Sequence, residues 1–188
     1  MARLQRLQIR FQRQPPGTAI TRTVLIMGGL LAAAGAYLII AREPHWAALA
    51  VGGSSFLLLV GGHRANHGAG GPTDRMLDEL LDRAWDGAVL GAIAWVARLP
   101  DPQIAVGALV AMCARFLSAY VRARGAALSY SVEESHVTRG VRYSLIVIGL
   151  AFGWLAVTVW LAALLSILTV LVRTTQVARE ERAVRPAP

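Results

Sequence analysis

The sequence predicts an all-α integral membrane protein, with six transmembrane helices behind an N-terminal amphipathic helix that lies on the membrane surface. Three observations predict it. Of the 188 residues, 55% are hydrophobic, above the roughly 45–50% usual in soluble domains. Uncharged apolar runs of spanning length recur along the chain. All 19 basic residues are arginines, giving a net charge of +8, and they cluster between those runs. Nucleic-acid binding would need these charges on a soluble basic face; charges flanking apolar runs are membrane anchors instead.

The elements follow in order. Arg3, Arg6, Arg10 and Arg13 recur at helical spacing, and so do Leu4, Leu7 and Phe11. That pattern is a basic amphipathic helix over residues 1–16, ended by Pro15, Pro16 and Gly17. The first span is Val24 to Ile40 and the second Trp46 to Gly62; each has about the 17–25 residues a crossing needs. A Gly-rich polar loop follows. The third span starts near Thr73 or Asp74, after Pro72, and reaches Arg98. At ~1.5 Å per residue such a helix is about 39 Å long, enough to cross and still carry its acidic end into a polar cavity. The fourth runs from Ile104 to about Tyr120. It contains Arg115, which at that depth costs roughly 2.5–3.5 kcal/mol and must snorkel, face a cavity or pair with an acid. Cys113, the single cysteine, reads as a buried inert thiol.

Tyr143 to Leu171 is a long uncharged run, and charge decides how often it crosses. If it turns back near Val157, Arg122, Arg124, Arg139 and Arg142 share a side with Arg173, Arg179, Arg182 and Arg185. Arg42 and Arg98 alone remain opposite. The positive-inside rule therefore predicts six spans over residues 17–175, a basic tail over 176–188, and both termini in the cytoplasm.

The chemistry lies in "MLDELLDRAWDG", residues 76–87. Asp78, Asp82 and Asp86 are four apart, so they share one helix face. Acids that run into a bilayer are functional candidates by default. Carboxylates suit a hard divalent cation such as Mg²⁺. Such an ion would clamp a diphosphate and neutralise the charge that develops on its cleavage. A carboxylate left off the metal could serve as base toward an alcohol. The alternative is that neighbouring arginines, Arg75 or Arg83, simply neutralise the stripe. Arg122, Arg139, Arg142 and Arg173 fall at cytoplasmic helix ends and are candidates for holding phosphate; anchoring explains them as well.

"LDELLDRAWDGAVLGA", "SAYVRARGAAL", "RGVRYSLIVIGL" and "LTVLVR", in that order and spacing, resemble the CDP-alcohol phosphatidyltransferase family, and most of all its bacterial phosphatidylinositol-phosphate synthase branch. The likeness covers roughly residues 20–175. It implies a homodimeric six-helix fold. It also implies Mg²⁺- or Mn²⁺-dependent transfer of a phosphatidyl group from CDP-diacylglycerol to an alcohol, with release of CMP. The family motif has two halves, Asp-x-x-Asp-Gly-x-x-Ala-Arg and Gly-x-x-x-Asp-x-x-x-Asp. By that resemblance Asp78 is a metal ligand and Asp82 is both a ligand and the general base. Arg122, Arg139 or Arg142, and Arg173 match positions that hold a phosphorylated acceptor.

The first half of the motif is missing. The second span ends in "FLLLVGGHRANHGAGG", with no aspartate between Ala41 and Thr73. Asp74, where the motif has glycine, and Asp86 are further candidate carboxylates. His63 and His67 are four apart but read as polar loop residues, imidazole being a poor ligand for Mg²⁺. Three readings stand. The first is a catalytically degenerate family member, without metal, as a homodimer or a heterodimer with an active paralogue. The second is an active synthase acting on an anionic alcohol such as an inositol phosphate. The third is an unrelated membrane scaffold or small transporter.

Overall fold

The computed structural model describes residues 17–128 and 136–184, which form six helices. They are α1 (Thr18–Ile40), α2 (Pro44–Asn66), α3 (Pro72–Ala97), α4 (Pro102–Ala127), α5 (His136–Phe152) and α6 (Leu155–Val184). Four of them, α1, α2, α4 and α6, are long and apolar enough to cross a membrane. In α3 the acidic stripe dilutes the apolar run, and α5 is short at 17 residues. The amphipathic helix expected over residues 1–16 lies outside the described residues. At the other end α6 continues unbroken through Gln176, where the tail was expected to begin.

Helix ends follow local chemistry. Pro44, Pro72 and Pro102 open α2, α3 and α4, at the position where a missing N–H costs nothing. The Asp101 carboxylate accepts from the Ile104 N–H at 3.4 Å and caps α4. The long apolar run splits at Gly153, whose φ is 73°, four residues before the expected turn at Val157. Side chains clash in that left-handed conformation, whereas glycine takes it freely. The turn therefore falls on the glycine and not at the middle of the run. Close behind it, Gly149 packs so tightly on Thr158 that a Cβ would have no room.

The helices close into a ring. α1 packs on α2, α2 on α5, α5 on α6, α6 on α4, α4 on α3 and α3 on α1, with α3 also touching α2. Leu25, Val51, Leu58, Val89, Leu90, Ile93 and Ile146 fill the interior. The outer face is apolar too, with Leu30, Trp46, Phe56 and Leu164 exposed, as a lipid-facing surface requires. Cys113 belongs to that outer face and is exposed, not buried as expected. Its run is apolar because it faces outward, and an apolar sequence alone does not separate lipid from protein interior.

The site lies between two helices that are not neighbours in the ring. Among the described residues, no Cα of α3 comes within 8 Å of a Cα of α5. Long side chains bridge these two helices where the backbones do not meet.

Candidate functional site

All four candidate aspartates of α3 are buried: Asp74, Asp78, Asp82 and Asp86. Burial of an ionised carboxylate is costly unless it is paired and hydrogen-bonded. Each of the four is paired with arginine.

Asp74 sits apart from the others. One carboxylate oxygen accepts from Arg22 Nε and Nη2, both at 3.1 Å. The other accepts from the Gly71 N–H at 2.8 Å, so Asp74 caps α3 and ties it to α1. The stripe's other three acids form one cluster. Arg139 of α5 donates through Nη1 to both oxygens of Asp78, each at 3.1 Å. Its Nε donates to Asp82 Oδ1 at 2.8 Å. One guanidinium thus bridges two carboxylates a helical turn apart. Asp82 also accepts from the Tyr143 hydroxyl and from Arg83. Arg83 reaches on to Asp86 at 2.9 Å, and Asp86 is further paired with the buried Arg115 of α4. Arg83 donates to the Arg115 carbonyl as well, at 3.1 Å.

Aromatic rings pack beside this cluster. Trp85 and Tyr143 lie 4.4 Å apart between centroids, and the Arg115 guanidinium is 5.8 Å from the Trp85 ring. Trp85 Nε1 and two Arg115 nitrogens, Nε and Nη2, are buried without a hydrogen-bond partner. From the opposite side α2 presents bare backbone. A Cβ on Gly62 would lie 2.7 Å from Asp78 Oδ1 and 2.8 Å from Arg139 Nη1. At Gly62, near the end of α2 where the motif's first half would stand, the helix therefore meets Asp78 with backbone alone.

The remaining candidates spread out. Arg142 is buried one turn beyond Arg139. Arg173 of α6 donates to the Ser118 hydroxyl at 2.7 Å and to its carbonyl at 3.1 Å, fixing α6 to α4. Arg122 pairs with the exposed Glu79 at 3.3 Å. His63 and His67 stack at 4.1 Å between centroids on the exposed end of α2. Tyr143 and Gly62 were not singled out from sequence. Tyr143 had a readable signal, standing four residues after Arg139 on the same helix face. Gly62 had none, because its role depends on which helix lies across from it.

As placed, the two acids leave a divalent metal no room. Mg²⁺ can be held by one or two carboxylates, with water and substrate phosphates completing its shell, but among the described residues no three His, Cys, Asp or Glu side chains converge, and the Arg139 guanidinium fills the space between Asp78 and Asp82. Asp78 and Asp82 come from one helix, and Arg139 already lies between them.

No family model matches the sequence. Over 159 residues the chain is 32% identical to a phosphatidylinositol phosphate synthase of Corynebacterium glutamicum, covering 79% of this chain and 73% of that protein. It is 28% identical over 155 residues to a phosphatidylinositol phosphate synthase of Mycolicibacterium smegmatis, covering 75% and 69%. The fold matches the crystal structure of Mycobacterium tuberculosis phosphatidylinositol phosphate synthase in apo form, with TM-score 0.74 and 23% identity over 90% of this chain and all of that one. The same M. tuberculosis enzyme has been solved in complex with manganese and citrate, and that structure matches with TM-score 0.70 and 22% identity over 92% and 93% of the two chains. With a third of its aligned positions identical to a synthase whose length it largely spans, and with the same membrane fold, this chain belongs to the CDP-alcohol phosphatidyltransferase family.

Proposed function

We propose that this protein is a catalytically degenerate CDP-alcohol phosphatidyltransferase-like membrane protein that serves phospholipid metabolism without transferring the phosphatidyl group itself. One observation carries the reading: Asp78 and Asp82 are both bound by Arg139, and α2 opposes Asp78 with Gly62. Cleaving a diphosphate needs positive charge held where it can reach the leaving phosphate. Here the two remaining motif acids hold an arginine of the chain instead. Asp82 as a general base would need an oxygen within reach of the acceptor alcohol, but its oxygens accept from Arg139, Tyr143 and Arg83. Family membership sets aside the reading as an unrelated scaffold or transporter.

The degenerate fold acts as a partner, in a homodimer or beside an active paralogue, in the plasma membrane of a bacterium. It spans six times with both termini in the cytoplasm, and it keeps a lipid-facing surface suited to CDP-diacylglycerol or its products. The test is direct. Purified protein is given labelled CDP-diacylglycerol, Mg²⁺ or Mn²⁺, and a panel of alcohols that includes an inositol phosphate. The expected outcome is no CMP. Release of CMP that Asp82→Asn abolishes would overturn this reading in favour of an active synthase with Asp82 as base.

A further inference from the structure

Arginine meets every acid of the cluster. Arg139 holds Asp78 and Asp82, Arg83 reaches Asp82 and Asp86, and Arg115 pairs with Asp86. Asp78, Asp82, Asp86, Arg115 and Arg139 are buried, where an uncompensated charge is far more costly than in water. Arg139 spans the two motif acids as a bridging cation would, touching both oxygens of Asp78 and one of Asp82. Gly62 closes the other side within van der Waals reach of that pair. A divalent ion between Asp78 and Asp82 would have to displace Arg139, or else add two positive charges beside it in a buried site.

We infer that Arg139 is a built-in cation that takes the place of a divalent metal between Asp78 and Asp82, so that this chain is structurally indifferent to Mg²⁺ and Mn²⁺. It rests on the same reading of the site as degenerate, but metal binding and not turnover tests it. The converse also follows. Removing the guanidinium uncovers two adjacent carboxylates on one helix face, and these then attract the cation that the wild type refuses.

The experiment uses the full chain in detergent, stripped with EDTA and titrated with Mn²⁺. Bound Mn²⁺ is followed by electron paramagnetic resonance, and stability by thermal unfolding. For the wild type the expected result is no bound Mn²⁺ and an unchanged Tm. Arg139→Met and Arg139→Gln should melt lower, bind Mn²⁺, and recover by about 5–10 °C at a hundredfold excess over Kd. The triple variant Asp78→Asn/Asp82→Asn/Arg139→Gln should again ignore Mn²⁺. Two results overturn the inference: Mn²⁺ bound by the wild type and lost in Asp78→Asn, or folded Arg139 variants that bind none. If neither Arg139 variant folds, the wild-type titration still decides. The two readings also fail separately. CMP release in EDTA would overturn the degenerate reading and leave the built-in cation standing, whereas Mn²⁺ held at Asp78 overturns the cation whether or not CMP appears.

Discussion

Asp86 and Arg115 show what a buried charge requires in this chain. Arg115 is fully enclosed and, among the described residues, has a single acid partner, Asp86, which it shares with Arg83. Its other nitrogens, Nε and Nη2, have no partner. Removing one member of a buried pair costs about 3–5 kcal/mol, because it strands the other, while replacing both by apolar groups of similar size is often neutral. Asp86→Asn should therefore lower the Tm by about 6–20 °C at 2–4 °C per kcal/mol. Asp86→Leu/Arg115→Met should recover most of that loss. Thermal unfolding of the purified protein in detergent reads both. A double variant no more stable than the single one would mean that the pair is not what Arg115 relies on. Sequence already limited Arg115 to an acid, a cavity or the surface, because only those options offset its depth. It could not name Asp86, 29 positions away, because that choice depends on how α3 and α4 pack.

At the scale of elements, what was legible is what depends on local chemistry. The apolar runs, the proline starts and the aspartate stripe of α3 all come from residues within a few positions of each other. The partners of the stripe do not. Arg139 is 61 residues from Asp78, and it meets Asp78 because α5 packs on α2 and leans its long side chains toward α3. Charge patterning predicted that the last apolar run folds back but misplaced the corner by four residues. The hairpin needs a residue that tolerates positive φ, and Gly153 supplies it. The left-handed conformation costs an ordinary L residue roughly 1–2 kcal/mol, and asparagine less. Gly153→Val should destabilise the α5–α6 corner by about that amount or more, and Gly153→Asn by less. Measured as unfolding midpoints, the two should rank Val below Asn below wild type. Equal values for all three would show that the corner relaxes without the glycine.

The whole molecule is apolar outside as well as inside, and its apolar interior encloses one cluster of paired charges. The ring order brings the acids of α3 and the arginines of α4 and α5 into that cluster, while Trp46, Phe56 and Leu164 face out. Pairing its acids with arginines would let α3 cross despite its stripe, because only net or unpaired charge is strongly opposed in lipid. The six crossings proposed from the distribution of the remaining arginines can be tested corner by corner. In a Cys113→Ser background, single cysteines at His67, Leu99 and Trp154 occupy exposed turns or their edges. A membrane-impermeant maleimide on intact cells should label Leu99→Cys and Trp154→Cys at once, and His67→Cys only after lysis. Trp154 decides the number of crossings. If α5 and α6 crossed together as one span, residue 154 would lie mid-membrane and stay unlabelled under both conditions. Labelling of Leu99→Cys only after lysis, with His67→Cys open from outside, would invert the orientation and place the arginine-rich ends of α4, α5 and α6 on the outer face.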